Sequence, residues 1–214
     1  MNQDFAALRR DYTQASLEIS NTLPDPISQF KKWFSEAQQA GALEPNAMTL
    51  STISAEGRPD ARIVLIKDVQ EDGFTFFTNY TSRKGKDLDK HPFAALTFYW
   101  SELERQVRIE GDVEKVDAAS SDAYFGSRPR GSQIGAWTSP QSQEIPNRGI
   151  LETRQRDFEE RFAQAEVPRP EHWGGYLVKP LRIEFWQGRA SRLHDRIVYE
   201  KSATGGWERK RLAP

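Results

Sequence analysis

The sequence predicts a mainly β protein with α additions, an antiparallel barrel whose helices lie between or beside the strands. Three observations carry this. Between residues 47 and 116, short runs rich in β-branched and aromatic residues are joined by turn signals, among them Glu56-Gly57-Arg58-Pro59 and Asp72-Gly73. Two more such runs, roughly 174–187 and 190–200, meet at Gln187-Gly188-Arg189. The loops of a doubly wound nucleotide-binding sheet are missing: no GxGxxG follows a strand, and neither GxxxxGK[ST] nor HExxH occurs.

Element by element, residues 1–24 are polar and lack a sustained period, which predicts a flexible N-terminal arm with at most a short helix. Asp25 then caps a helix with Pro26 at its first position, and Ile27, Phe30, Trp33, Phe34 and Ala37 follow at helical spacing up to Gly41. AMTLSTIS, ARIVLIKDV and FTFFTN read as hairpin-linked strands. Ser82 caps a short helix over RKGKDLDKH, FAALTFYW is a buried strand, and RQVRIEGDVEKV alternates. In that last strand Gln106, Arg108 and Glu110 share one face, and Val107 and Ile109 the other. Residues 117–136 are expected to be helical but broken at Gly126 and Pro129, and Pro146 to open a helix through about 164. Trp207 to Arg211 adds a short final strand, so residues 25–214 are expected to form a single domain.

Composition narrows the function classes. Thirty Lys plus Arg against 31 Asp plus Glu leave a formal charge of -1, so bulk electrostatics point to no nucleic acid and no membrane, and any anion site must be local. Hydrophobic residues are only 37%, but 12 Phe, 6 Trp and 6 Tyr supply large burial per residue. The absence of cysteine removes disulfides, thiolate metal sites and cysteine nucleophiles. No apolar leader or span of ~18 to 20 residues occurs, and a cytoplasmic location is expected.

Three clusters are suited to anions. In Arg192-Leu193-His194-Asp195-Arg196, strand periodicity would put Arg192, His194 and Arg196 on one face, where an anion or solvent must screen them; an ordinary exposed edge strand accounts for the spacing equally well. Arg62 and Lys67 on one strand, with Ser82, Arg83 and Lys84 opening a helix, suit a phosphomonoester, although a solvated basic turn has the same composition. Tyr124, Arg128, Arg130 and Ser132 offer hydroxyl and guanidinium donors among glycines, or form a connection with incidental arginines. Trp137, Trp173 and Trp186 are available to stack on a flat ring, but aromatic residues in a small domain are more often core.

Over nearly its whole length the chain resembles the pyridoxine/pyridoxamine 5'-phosphate oxidase family. The most specific piece is HWGGYLVKPLRIEFWQGRASRLHDR at 172–196; RIVLIK at 62–67, YTSRKGKDL at 80–88 and SRPRGSQIGAWTSPQS at 127–142 support it in the right order. The resemblance implies a split-barrel FMN-binding fold and a homodimer with active sites at the subunit interface. It implies oxidation of pyridoxine 5'-phosphate or pyridoxamine 5'-phosphate to pyridoxal 5'-phosphate, with O2 as acceptor. For FMN it points to Arg62, Ile63, Val64, Leu65, Ile66, Lys67, Phe77, Thr78, Arg83, Lys84, Gln106, Gln141, Ser142, Trp186 and Arg196. For substrate it points to Lys67, Tyr124, Arg128 and Ser132 around the phosphate, with Arg192, Leu193 and His194 at the reacting end, Arg192 and His194 as the catalytic pair. The arm Arg9, Arg10, Asp11 and Tyr12 is similar to the family segment that closes over substrate. A split-barrel flavin enzyme with another substrate, or a non-catalytic flavin or pyridoxal phosphate carrier, stays open beside this reading.

Overall fold

A computed structural model describes Asp4 and residues 11–214. Its strands are β1 (Ala47–Ile53), β2 (Pro59–Gln70), β3 (Gly73–Asn79), β4 (Phe93–Trp100), β5 (Arg105–Lys115), β6 (Trp173–Gln187), β7 (Asp195–Lys201) and β8 (Trp207–Leu212). The α-helices are α1 (Pro26–Gln39), α2 (Arg83–Lys90), α3 (Ala118–Ser127), α4 (Arg130–Thr138) and α5 (Gly149–Arg161). The strand order β3-β2-β1-β4-β5-β6, with β3 also pairing with β6, closes six strands into an antiparallel barrel; β7 and β8 extend the sheet beyond β6. The predicted fold class is therefore the observed one. Within the described residues there are two compact units.

The first unit comprises the described residues through Thr49 with Ala95–Glu110 and Pro180–Pro214. Asp25 caps α1 by accepting from the Ser28 N–H at 2.7 Å, and Pro26 fills the first turn where its missing N–H costs nothing. The apolar stripe buries Phe30 against Phe98 (centroids 4.9 Å) and Trp33 against Phe185 (5.2 Å). Strands β7 and β8 pair in antiparallel register. Their side chains hold the segment before α1: Tyr199 donates to the Leu23 carbonyl at 2.6 Å, Arg209 to that of Thr22 at 2.9 Å and Arg211 to that of Leu17 at 2.8 Å.

The second unit comprises Leu50–Ala94 and Gly111–Lys179. The β2–β3 hairpin shifts register between Ile66 and Asp68, which puts Lys67 at an irregularity of the ladder. Ser82 caps α2 as expected, its Oγ accepting from the Gly85 N–H at 3.4 Å. Gly85 lies so close to the preceding chain that a Cβ there would sit 2.1 Å from the Tyr80 carbonyl oxygen. Phe125, Ile134, Phe162, Val167 and Trp173 form a buried cluster joined by Phe77, Tyr124, Trp137 and Phe158.

Three local expectations are corrected. Helix α3 passes through Gly126, and the break falls only at Arg128-Pro129, because the proline ring disfavours helical geometry in the residue before it and Arg128 is extended (φ -73°, ψ 148°). Helix α5 starts at Gly149, after Pro146 and not at it. The strand expected from residue 190 begins at Asp195: Ala190–Arg192 form a 3-10 turn in which Ser191 (φ 55°) and Arg192 (φ 60°) are left-handed. Arg192 therefore does not share a strand face with His194 and Arg196, since period-two alternation does not survive a turn.

Candidate active site

A cavity of about 500 Å³ in the second unit gathers most of the predicted residues of that unit. Strand β2 contributes Arg62, Ile63, Val64, Leu65 and Lys67, β3 contributes Phe77 and Thr78, and α2 contributes Lys84. Tyr124, Arg128, Ser132 and Gln141 come from α3, α4 and the segments around them.

The cations are oriented by their neighbours. Arg62 donates to Asp60 at 2.6 Å, to Thr52 Oγ1 at 2.8 Å and to the Leu50 carbonyl at 3.2 Å. Thr52 in turn donates to buried Asp87 at 2.7 Å, so a hydrogen-bonded network aims the guanidinium. The Lys84 ammonium donates to Gln141 Oε1 at 2.9 Å and to Thr78 Oγ1 at 3.3 Å. Burial, reinforced by the charge of Arg62, holds its pKa below the ordinary lysine value, with Asp60 opposing. Excess positive charge beside hydroxyl and amide groups is a donor set for a phosphate.

Arg128, unlike Arg62, has no carboxylate partner among the described residues, and unlike Lys84 it rests on aromatic faces. Its guanidinium lies 4.5 Å from the Trp173 ring centroid and 5.5 Å from that of Phe125, and its Nη1 is buried without a hydrogen-bond partner. Burial pulls the Arg128 pKa down, against a smaller opposing effect of Tyr124. Beside it Phe77 stacks on Tyr124 (4.0 Å, 22°) and on Trp173 (5.6 Å, 14°). Buried donors in native proteins are nearly always satisfied, and one left open in a cavity wall marks a place for an anionic ligand.

Of the residues of this unit that the family resemblance assigns to cofactor or substrate, three do not line the cavity. Ile66 is in the core at 5% exposure, Arg83 is exposed and paired with Asp60 at 3.1 Å, and Ser142 is exposed with φ 69°. Asn79 and Pro129 line it without having been singled out, and Trp173 is both core and wall. Contact across the fold places them there, for which the local sequence carries no signal.

In the first unit Tyr12 and Trp186 lie against His194, and Trp186 is paired with Arg196. Gln106 is half-buried on the predicted face of β5. Trp186 faces Arg196 across the β6–β7 ladder. Arg196 grips the buried Glu184 with both ends of its guanidinium (3.1 and 2.9 Å), which raises its own pKa. Tyr12 packs edge-on against Trp186 (5.8 Å) and His194 (5.7 Å), and Gly188 makes room for it, since a Cβ there would come 2.8 Å from Tyr12 Cγ. Asp11, Arg192 and Leu193 are exposed; Arg9 and Arg10 lie outside the described residues.

His194 accepts from the Arg189 backbone N–H at Nδ1 (3.1 Å), which leaves Nε2 as the protonated nitrogen of the neutral ring. Burial first, and then the charge of Arg192, depress its pKa below 6.5. Between that depressed value and 6.5 the folded chain binds fewer protons than the unfolded one. The stabilising contribution is thus complete above pH 6.5 and is lost as pH falls through the window toward the folded pKa. With 3 histidines in the chain, an NMR titration isolates this one, and a midpoint for His194 at or above 6.5 contradicts the assignment.

A family model described as pyridoxamine 5'-phosphate oxidase matches residues 34–162, and one described as the pyridoxine 5'-phosphate oxidase C-terminal dimerisation region matches 173–214. The chain is 58% identical over 209 residues to the pyridoxine/pyridoxamine 5'-phosphate oxidase of Cupriavidus metallidurans, covering 98% of each. It is 59% identical over 211 residues to the protein of that name from Burkholderia multivorans, again covering 98% of each. Among solved structures, PhzG from Burkholderia lata 383 in complex with tetrahydrophenazine-1-carboxylic acid superposes with a TM-score of 0.88 at 27% identity, over 94% of this chain and 100% of that one. An FMN-binding protein from Nostoc punctiforme shares the fold (TM-score 0.70, 17% identity, 86% of this chain and 97% of that one). No helix among the described residues is long and apolar enough to cross a membrane. By two family models that together span most of its length, and by relatives 58% and 59% identical over 98% of it, the chain belongs to the pyridoxine/pyridoxamine 5'-phosphate oxidase family.

Proposed function

We propose that the chain oxidises pyridoxine 5'-phosphate or pyridoxamine 5'-phosphate to pyridoxal 5'-phosphate with FMN as cofactor, as the final step of vitamin B6 biosynthesis and salvage. Electrons pass to O2, giving H2O2, and the amine substrate also releases ammonia. The observation that carries this reading is the unpartnered Arg128 nitrogen in the wall of a cavity that also holds the Arg62 and Lys84 cations. Two phosphorylated ligands account for two cationic groups in a chain of net charge -1.

The donor set fits FMN. Arg62, Lys84, Thr78 and Gln141, with Arg83 and Ser142 beside them in sequence, would hold its phosphate, and the Arg62–Lys67 backbone its ring. Gln106, Trp186 and Arg196 complete the cofactor set. Bound FMN would supply the hydride acceptor for the substrate's exocyclic carbon and the route of electrons to O2. Lys67, Tyr124, Arg128 and Ser132 grip the substrate phosphate, which is remote from the reacting carbon and so provides binding energy for orientation. Arg192, Leu193 and His194 cover the reacting end, and Arg9, Arg10, Asp11 and Tyr12 contribute to substrate binding. His194 presents the proton on Nε2 because Arg189 occupies Nδ1. The protein acts as a cytoplasmic homodimer with active sites at the subunit interface, a reading supported by the match of residues 173–214 to a dimerisation region.

The test is anaerobic. Pyridoxine 5'-phosphate added to the FMN-loaded protein is expected to bleach the flavin's visible absorption, which returns on admitting air with pyridoxal 5'-phosphate formed. Bound flavin that neither the alcohol nor the amine phosphate bleaches would leave a carrier, or an enzyme for another substrate.

A further inference from the structure

Building on the phosphate reading above, we infer that Trp173 is a positioning residue for the substrate phosphate, acting through Arg128. The guanidinium of Arg128 is paired with no carboxylate among the described residues and rests on aromatic faces, 4.5 Å from the Trp173 centroid and 5.5 Å from that of Phe125. An acidic partner would orient the group but neutralise it. An indole face orients it while leaving its full charge for a dianion, and Trp is the strongest such face.

Trp173 is itself immobilised, as a positioning group must be. It is 7% exposed and pairs with Asn79 in the β3–β6 ladder. Its carbonyl accepts from Arg169 at 2.7 Å, and Arg169 is tied to Asp122 at 2.6 Å. Phe77 stacks on one part of the ring, and Phe125 meets it edge-on at 5.2 Å. The backbone of Arg128 is stiffened by the proline that follows it. Guanidinium, ring and strand thus form one rigid unit in the cavity wall.

The test measures steady-state kinetics of the FMN-loaded enzyme on pyridoxine 5'-phosphate and on unphosphorylated pyridoxine. W173L is expected to raise KM for the phosphorylated substrate on the order of tenfold with kcat within about twofold, and W173F about threefold, following the strength of each aromatic face. Inhibition by inorganic phosphate weakens in parallel, and kcat/KM for unphosphorylated pyridoxine falls by a smaller factor than that for the phosphorylated substrate. In the R128A background W173L adds less than about twofold, because the two residues act as one. If W173L does not fold, W173F and W173Y carry the same test. Wild-type KM in the Trp173 variants, or equal losses on both substrates, overturns the role of Trp173 alone. A wild-type chain that does not oxidise pyridoxine 5'-phosphate, or R128A with wild-type KM, overturns the phosphate reading and this inference with it.

Discussion

Arg128→Ala lowers kcat/KM for pyridoxine 5'-phosphate by two to three orders of magnitude while leaving unphosphorylated pyridoxine nearly unaffected. Truncating one partner of a desolvated charge pair costs about 2 to 5 kcal/mol, or roughly 30- to several-thousand-fold. The free protein loses little. Arg128 Nη1 is buried without a partner, so the variant removes an unsatisfied donor together with the cation–π contact to Trp173. Its melting temperature is expected to stay near the wild-type value. Retained stability with lost phosphate selectivity is the pattern of a residue kept for function. Arg128→Lys restores part of the affinity, a point charge without the planar fork. Equal losses on both substrates would remove the phosphate grip from the account of specificity.

Arg196→Ala is expected to cost stability as well as cofactor. Glu184 is 2% exposed, and Arg196 supplies its two short hydrogen bonds, whereas Arg108 (3.9 Å) and Arg182 (3.8 Å) stand farther off. Breaking a buried pair from one side costs about 3 to 5 kcal/mol, and the two remaining arginines reduce this to about 2 to 3. Urea unfolding checks the figure. Adding Glu184→Gln to Arg196→Ala recovers most of the loss, because no buried charge is then left without its partner. FMN retention, followed by gel filtration and absorbance, stays weakened in the double variant if Arg196 also touches the cofactor. A double variant no more stable than Arg196→Ala would show that the Glu184 charge is not the cause.

The sequence by itself determined the elements whose signals are local. Helix α1 follows from Asp25, Pro26 and the spacing of Ile27, Phe30 and Trp33; α2 follows from Ser82; and β5 follows from its alternation. These signals are short-range, and the tertiary structure has no reason to overrule them. The same holds for the short motifs at residues 62–67, 80–88, 127–142 and 172–196, on which the family resemblance rested.

What only the tertiary structure decided depends on contacts between distant residues or on backbone angles that no residue type announces. Ser191 and Arg192 turn left-handed without glycine or asparagine, so the strand expected there begins late and Arg192 leaves the face it was assigned. Arg196 and Arg192 looked alike as cations on one segment, yet one is neutralised by a buried glutamate and the other is exposed. Trp173 looked like core and is core, but the register of β3 against β6 also puts its face under Arg128. Residue types and periodicity specify which side chains are available and which way a strand presents them; pairing register, charge compensation and the partner of a buried donor arise only when the chain has closed on itself.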